Sequence, residues 1–310
     1  MVKMIGRRLL MLIPVLLGVS FILYAIMNLT PGDAAQLMLG DNASPEAVEK
    51  LRAELGLNGG FFQRYFCWIA GVLQGNFGIS YRTPEPVFNE VFSRFPNTLK
   101  LSVAAIAISA VFGLFFGILS AVKQYSLADN VTLAATLLLT SVPNFWLGIM
   151  LMLLFSVRLG WLPLSGVDHW TCFILPGIAA SGNYLANTIR MTRSSMLDVI
   201  RSDYIRTARA KGCSERTVIF RHALRNALLP IVTLIGINMG FQLGGTIVIE
   251  QVFSIPGIGS LNITSIRIKD TPVVLGTMVF IALLSSIINL VTDIIYAYID
   301  PRVKSQYMNS

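Results

Sequence analysis

Nine of the chain's 24 lysine and arginine residues lie in a single segment, between Arg190 and Arg225. Apolar runs border this segment on both sides, so it separates two hydrophobic stretches. Guanidinium groups at this density donate hydrogen bonds to carboxylates and to backbone carbonyls. The segment is too polar to lie in lipid and too regularly patterned for an irregular loop.

The spacing within this basic segment predicts two helices. Apolar or small residues recur at intervals of three and four, which is typical of a helix with one apolar stripe; they are Leu197, Ile200, Tyr204 and Ala208. Gly212 predicts the end of this helix, and Ser214 can cap a second helix, roughly 215–228, ahead of Pro230. We expect a helical hairpin between two membrane spans.

A polar stripe follows in the next apolar run. Its members are four residues apart and share one helical face: Asn238, Gln242, Thr246 and Glu250. A second stripe, of small residues, lies about 200° away and contains Gly236, Gly240 and Gly244. The small stripe is expected to press against a neighbouring helix. Two interpretations of the polar stripe stay open, namely a face lining a translocation path and a set of hydrogen bonds between helices.

The sequence predicts neither a catalytic nor a metal site in this chain. His169 and Cys172 form the one HxxC pair, a weak metal signal. The chain contains no Gly-Lys dipeptide and therefore no phosphate-binding P-loop, and it has no HExxH motif. Whether Cys67 and Cys172, which fall on the same predicted side of the membrane, form a disulfide stays open.

The composition indicates that the basic segment and the polar stripe belong to an integral membrane protein, because 54% of the residues are hydrophobic and only 13% are charged. Six apolar runs have span length, at about 9–29, 98–122, 131–157, 173–189, 229–249 and 273–297. Gly113, Gly117 and Ala121 carry the spacing that lets helices approach closely, and Pro143 predicts a break in the third span.

Residues 30–97 form the one sizeable polar stretch. Ser44, Pro45 and Glu46 predict a helix start, an aromatic-rich helix follows at about 61–73, and a short helix is expected at about 85–95. We interpret this stretch as a helical cap on the membrane surface.

Charge supports this six-span topology. Of the 24 basic residues, 15 fall on the predicted inner side, which gives about +9 inside and −1 outside, as the positive-inside rule requires. Both termini are therefore expected in the cytoplasm. This bias also accounts for the net charge of +8, so nucleic acid is not an expected partner.

The basic segment resembles the cytoplasmic coupling loop of ABC importer permeases, in the version found in the dipeptide, oligopeptide and nickel group. The matching residues are Asp203–Gly212 (DYIRTARAKG) and His222–Pro230 (HALRNALLP). The family's usual glutamate is replaced by Arg206, ahead of Thr207, Ala208 and Gly212. Three more stretches agree, and they are Thr30–Asp33 (TPGD), Gly75–Gly78 (GNFG) and Gly244–Gly259, which includes Glu250 and Phe253.

The resemblance implies an all-α, type I ABC importer permease fold in the bacterial inner membrane, with six transmembrane helices and no enzymatic activity of its own. It implies an N-terminal transmembrane helix (1–29), an extracytoplasmic helical cap (30–97), a transmembrane domain (98–299) with a coupling loop at 193–228, and a cytoplasmic tail (300–310). Its expected partners are a second homologous permease, two ABC ATPases that bind ATP and magnesium, an extracytoplasmic solute-binding protein and membrane lipid.

The same resemblance implies that the helix at 203–212 seats in an ATPase subunit. The residues expected to take part are Asp203, Tyr204, Arg206, Thr207, Ala208, Arg209 and Gly212. Import of di- or oligopeptides is the expected function, with nickel or another chelated metal as the alternative cargo. A carrier or channel that works without ATP is a more distant alternative, and inverted repeats or charges deep in several spans, which would indicate it, are not seen. An intramembrane enzyme finds no supporting motif.

Overall fold

The computed structural model describes residues 2–40 and 42–299, so the predicted cytoplasmic tail at 300–310 lies outside the described residues. This part of the chain is helical and contains no β-strand beyond an isolated bridge between Ile79 and Pro86. It divides into two compact units. The first unit comprises Val2–Thr98 and Pro256–Ser286, and the second comprises Leu99–Ile255 and the chain from Ile287.

The helices that begin before residue 100 are α1 (Val2–Leu29), α2 (Ala34–Leu39), α3 (Pro45–Glu54), α4 (Phe61–Leu73) and α5 (Val87–Val122). They are followed by α6 (Leu127–Ser141), α7 (Asn144–Leu151) with a π-helical continuation (Met152–Arg158), α8 (Ile174–Ile200) and α9 (Asp203–Ala210). The remainder are α10 (Glu215–Thr217) with a π-helical continuation (Val218–Ala223), α11 (Leu224–Gly245), α12 (Ile247–Val252), α13 (Ile258–Arg267) and α14 (Thr271–Ile299).

Four helical stretches of the described chain are long and apolar enough to cross a membrane: Leu10–Leu29, Val87–Val122, Glu215–Gly245 and Thr271–Ile294. A fifth span results if α6 and the helix from Asn144 to Arg158 count as one. Their axes differ by 105°, which confirms the break predicted at Pro143. The protein is therefore a multi-pass membrane protein with four or five such spans by this measure.

The predicted fourth span falls on α8, which is not among these stretches. The reason is that α8 is a buried central helix of the second unit, where it packs against α6, α7 and α11. Of its 27 residues, 13 are buried, and they include small and polar residues such as Gly182, Ser181 and Thr188. A helix surrounded by protein does not need the continuous apolar surface that lipid contact requires.

Two other expected boundaries differ from the structure. The short helix predicted at 85–95 is the first part of α5, which runs on through Pro96 into the predicted second span. Likewise, the predicted helix at 215–228 continues through Pro230 into α11. In both places the proline lies inside a helix, where neighbouring elements can compensate for the missing N–H.

The predicted close approach of helices at Gly113 and Gly117 is confirmed within the second unit. A Cβ on Gly113 would lie 2.5 Å from the Thr188 side chain, and one on Gly117 would lie 2.5 Å from Thr192 Cβ. Only a glycine fits at either position, so α5 and α8 pack with their backbones nearly in contact. Ala121, one turn further along, is 3% exposed and belongs to the same buried core as Met196.

Candidate functional site

The helix α9 is closed at its C-terminus by a hydrogen-bonded cap. The Gly212 N–H donates to the Arg209 carbonyl at 2.9 Å, and the Cys213 N–H donates to the Ala208 carbonyl at 3.3 Å. This is the Schellman arrangement, in which the first of the two donor residues adopts a left-handed conformation. Gly212 provides it with φ +79°. The predicted helix stop at Gly212 is thus the residue that ends α9, and Ser214 caps α10 by accepting from the Thr217 N–H at 3.4 Å.

Two residues anchor α9 to the second unit. Ile205 is fully buried and Ala208 is 9% exposed, and both belong to a core that includes Met196, Val218 and Ala227. The predicted stripe from Leu197 to Ala208 was wrong in its middle part, because α8 ends at Ile200 and α9 starts a new helix at Asp203. Within α9, Ile205 and Ala208 are the residues that pack into this core, and Tyr204 is not among them.

Tyr204 is 47% exposed, and its hydroxyl accepts a hydrogen bond from Asn226 Nδ2 at 3.1 Å. The rest of α9 is open to solvent as well. The side chains of Asp203 and Arg206 are 98% and 78% exposed and lie 3.7 Å apart, and Thr207 is also exposed. Most of this helix therefore presents polar groups away from the core.

Arg209 already has a carboxylate partner in its own chain. Its Nε and Nη2 donate to the two carboxylate oxygens of Glu215 at 2.7 and 3.2 Å. Hydrogen bonding to Glu215 raises the pKa of Arg209 above its ordinary value. This pair fixes α9 relative to α10 across the Gly212 turn, and leaves Arg206 as the more exposed of the two α9 guanidinium groups.

A buried ion pair behind α9 was not predicted from the sequence. Arg193 on α8 donates to both carboxylate oxygens of Asp129 at 2.8 and 2.9 Å. Asp129 also accepts from the Ser120 hydroxyl at 2.5 Å and from the Tyr125 N–H at 2.9 Å. This arrangement joins α5, the turn before α6 and α8. The one available signal was an acid within the predicted inner loop, which sequence spacing alone does not connect to Arg193.

The polar stripe of α11 and α12 is buried within the second unit. Asn238, Gln242, Thr246 and Glu250 are 6%, 1%, 0% and 0% exposed. Thr246 donates to Glu250 at 3.1 Å, whereas the Gln242 amide has no hydrogen-bond partner among the described residues. This burial is compatible with both interpretations of the stripe.

The opposing stripe presses against α14, as predicted for two of its three residues. A Cβ on Gly236 would lie 2.2 Å from the Thr292 side chain, and one on Gly240 would lie 2.7 Å from Asn289 Oδ1. Gly244, in contrast, is exposed.

In the first unit, the short turn between α13 and α14 contacts two of the sequence motifs, TPGD and GNFG. Lys269 donates to the Thr30 carbonyl and, at 2.5 Å, to the Gly32 carbonyl, and so holds the TPGD turn. Asp270 accepts from the Ser80 hydroxyl at 2.6 Å. Gly78 of the GNFG stretch packs against Pro272, because a Cβ there would lie 3.3 Å from the proline ring. The sequence did not single out Lys269 or Asp270.

Metal ligands are sparse in the described part of the chain. No three His, Cys, Asp or Glu side chains come together there in a way that could hold a metal ion. Cys67, Cys172 and Cys213 are free thiols.

Solved ABC importers share this helical fold. The inward-facing MetNI methionine ABC transporter matches 68% of this chain and 96% of its own chain, with a TM-score of 0.58 and 19% identity. An amino acid ABC transporter crystallised with histidines matches 69% of this chain and 94% of its own, with a TM-score of 0.51 and 16% identity. The fold is that of ABC importer permeases.

Family comparison covers nearly the whole sequence. A model described as binding-protein-dependent transport system inner membrane component matches residues 113–305, and a model for the N-terminal part of such membrane components matches residues 1–102. The glutathione transport system permease protein GsiC of Escherichia coli K12 is 40% identical over 304 residues, which cover 98% of this chain and 99% of GsiC. GsiC of Shigella dysenteriae serotype 1 gives the same values.

The chain therefore belongs to the binding-protein-dependent transport system inner membrane components, as a permease subunit of the dipeptide, oligopeptide and nickel ABC importer family.

Proposed function

We propose that this chain is one of two homologous permease subunits of an ATP-driven importer of small peptides in the bacterial inner membrane. In this proposal six helices span the membrane, with α8 as the fourth, and both termini are cytoplasmic. Two ABC ATPases bind ATP and magnesium and hold α9 of each permease, and an extracytoplasmic solute-binding protein delivers the cargo.

The observation that carries the proposal is the division of α9 into two faces. Ile205 and Ala208 fix the helix to the core of the second unit, whereas Asp203, Arg206 and Thr207 face outward. A force applied to the outward face is therefore transmitted to α8 and α11, because the anchoring residues pack among side chains of both helices. A loop that served only to carry positive charge would not need such an anchor.

Peptide cargo is supported by two findings. GsiC is described as part of a glutathione transport system, and glutathione is itself a small peptide. In the proposed translocation path, Asn238 and Gln242 would offer amides that match the donors and acceptors of a peptide backbone. Thr246 and Glu250 complete the proposed path. Nickel transport would favour clustered His, Cys or acidic ligands, of which the described residues hold no group of three.

The coupling role is tested by replacing Gly212, whose φ of +79° a β-branched residue adopts only under strain. We expect Gly212→Val to reduce peptide-stimulated ATP hydrolysis and uptake at least tenfold in proteoliposomes containing the complete transporter, while membrane insertion persists. The matched control is Gly160→Val, since Gly160 has φ +62° and, like Gly212, open space around it. It imposes the same strain elsewhere and should leave coupling unchanged.

Equal losses in both variants would show that general strain causes the effect, and full activity of Gly212→Val would contradict the coupling role.

The cargo is tested separately with the same proteoliposomes, by measuring ATP-dependent uptake of glutathione, a dipeptide and Ni²⁺ in the presence of the cognate binding protein. Uptake of Ni²⁺ alone would contradict the peptide assignment.

A further inference from the structure

The first unit contains a cavity of about 760 Å³ that the transport mechanism proposed above does not use. It is lined by the last turns of α1, by α4, by the turn after α3 and by the start of α14. Its volume falls in the range of small-molecule binding sites, roughly 300–1,000 Å³. The walls combine apolar side chains, including Met27, Trp68 and Leu275, with an unusual number of charges.

The charges that line this cavity are predominantly positive. Three cationic side chains line it, those of Arg52, Arg64 and Lys269, and one carboxylate, that of Asp33. Arg52 and Asp33 neutralise each other at 2.9 Å. Lys269 is occupied in part by the TPGD carbonyls, and burial lowers its pKa, an effect that the nearby Asp33 opposes. The residues that line the cavity therefore keep a surplus of positive charge after the Arg52–Asp33 pair is formed, while the carboxylate of Asp270 lies near Tyr81 outside the lining.

Two hydrogen-bonding groups of the cavity are buried without a partner. Arg64 uses Nη2 to donate to Asn28 Oδ1 at 2.7 Å, but its Nε–H has no acceptor among the described residues. The Tyr24 hydroxyl, on a side chain only 5% exposed, also has no partner. A buried donor left unsatisfied costs about 1–3 kcal/mol. Groups of this kind call for a partner from outside the chain, either an ordered water or a ligand.

A second hydroxyl, that of Tyr81, adds to this set. Burial, together with the carboxylate of Asp270, raises the pKa of Tyr81 to about 12. The phenol on the cavity wall consequently keeps its proton at every physiological pH and stays available as a donor. The cavity thus offers a guanidinium N–H and phenolic hydroxyls within a positively charged environment, which is the complement of an oxyanion.

We propose that this cavity binds a phosphate group, with Arg64 and Tyr24 donating to its oxygens. The position of the cavity indicates where that phosphate comes from. Tyr24, Met27 and Asn28 lie in the last two turns of a helix of span length, at the end opposite its basic N-terminus. This is the level at which a span leaves the hydrocarbon and phospholipid headgroups begin. A phospholipid headgroup is the expected source, and free phosphate is the alternative that the experiment distinguishes.

The native Cys67 provides the measurement, because it lines the cavity and its side chain is exposed. The complete transporter is purified in detergent, and the rate at which Cys67 is alkylated is followed by peptide mass spectrometry. Three additions are compared: dihexanoyl phosphatidylglycerol, dihexanoyl glycerol without phosphate, and inorganic phosphate. We expect the phosphatidylglycerol to slow alkylation at least threefold and the phosphate-free diglyceride to leave the rate unchanged.

Two variants connect this protection to the proposed donors. Arg64→Gln and Tyr24→Phe should each raise the half-protecting lipid concentration about tenfold, since a hydrogen bond to a charged group contributes on that order. Arg64→Gln also removes the hydrogen bond to Asn28 Oδ1 and could destabilise the fold for that reason. Tyr24→Phe removes no hydrogen bond from the structure, so its effect on protection can be interpreted in either case. Lys50→Gln is the matched control, because it removes an exposed charge outside the cavity and should retain full protection.

Protection by phosphatidylglycerol alone would support a lipid headgroup as the ligand, and protection by inorganic phosphate as well would support a site for free phosphate. The proposal is overturned if neither slows alkylation, if the phosphate-free diglyceride protects equally, or if Tyr24→Phe and Arg64→Gln both keep wild-type protection. None of these results depends on transport activity, so failure here is distinct from failure of the proposed function.

Discussion

Arg193 and Arg206 belong to the same basic segment of the sequence, yet the structure places them in opposite environments. Arg193 is 21% exposed and forms a bidentate pair with Asp129, which is 2% exposed. Arg206 is 78% exposed and lies 3.7 Å from the almost fully exposed Asp203. The first pair holds three elements of the second unit together. The second contributes little to folding and leaves both charges available to another protein.

This contrast shows that a cluster of arginines can contain two kinds of residue with different roles. The inner arginine stabilises the scaffold, and the outer one is exposed for binding. Substitutions at the two positions should therefore affect different measurements, stability for Arg193 and partner binding for Arg206.

Breaking the inner pair should cost the most. Asp129→Ala leaves the Arg193 guanidinium without its carboxylate in a mostly buried position, and removing one partner of a buried pair typically costs about 3–5 kcal/mol. We expect a loss of this order in the free energy of unfolding, measured by denaturant titration in detergent micelles. The control, Asp203→Ala, should change stability by less than about 0.5 kcal/mol because that side chain is exposed. Equal losses in the two variants would contradict the contrast drawn here.

The helix contact behind the inner pair should be the next most sensitive. Gly117→Ala places a Cβ 2.5 Å from Thr192 Cβ and 2.9 Å from the Ile189 carbonyl, so α5 and α8 must separate. Overpacking of this kind costs about 1–3 kcal/mol, which thermal unfolding of the purified chain would detect. Gly18→Ala in α1 is the control, since no atom lies within 4 Å of its new methyl group. A fully stable Gly117→Ala variant would refute the close approach.

Lys269, a buried lysine of the first unit, should have an effect on stability between those of the buried pair and of Arg206. Burial lowers the pKa of Lys269, so between the folded and unfolded pKa values the folded state binds fewer protons. Stability should therefore rise as the pH increases through the folded pKa, and level off near the unfolded value of about 10.4. The difference in unfolding free energy between wild type and Lys269→Met measures this rise. An exposed-lysine variant, Lys50→Met, should follow the wild-type pH dependence. A flat difference would show that desolvation of Lys269 is negligible.

The outer arginine should have the smallest effect on stability and a large one on coupling. We expect Arg206→Glu to change the free energy of unfolding by no more than about 0.5 kcal/mol, while co-purification of the ATPase subunits and uptake are lost. Lys123→Glu, which reverses another exposed charge of the predicted inner side, should keep both. If Arg206→Glu retained its ATPase partners and full uptake, α9 would not be the contact proposed here.

Features set by local chemistry were predictable from the sequence. The left-handed cap at Gly212, the break at Pro143 and the glycine contacts at Gly113 and Gly117 each follow from what one residue type can or cannot do. The family resemblance was confirmed because it depends on short motifs that remain recognisable without knowledge of packing.

Features set by tertiary packing were not predictable. The burial of Ile205 rather than Tyr204 depends on the helix break before Asp203, which the apolar spacing alone does not show, although Ser202 and Asp203 are residues typical of a helix start. The pairing of Asp129 with Arg193 joins residues 64 positions apart. Packing also explains why α8 is less apolar than the stretches of span length, because 13 of its 27 residues are buried and several of these are small or polar.

The unbroken length of α5 has a consequence of its own. A helix of 36 residues is about 54 Å long at 1.5 Å per residue, whereas the hydrocarbon layer of a bilayer is only about 30 Å thick. Some 20 residues, counted back from Val122, are enough to cross that layer and reach Val103. About 16 of the 36 residues therefore exceed the length that one crossing requires. An excess of this size is accommodated either by tilting the helix or by extending it beyond the hydrocarbon layer.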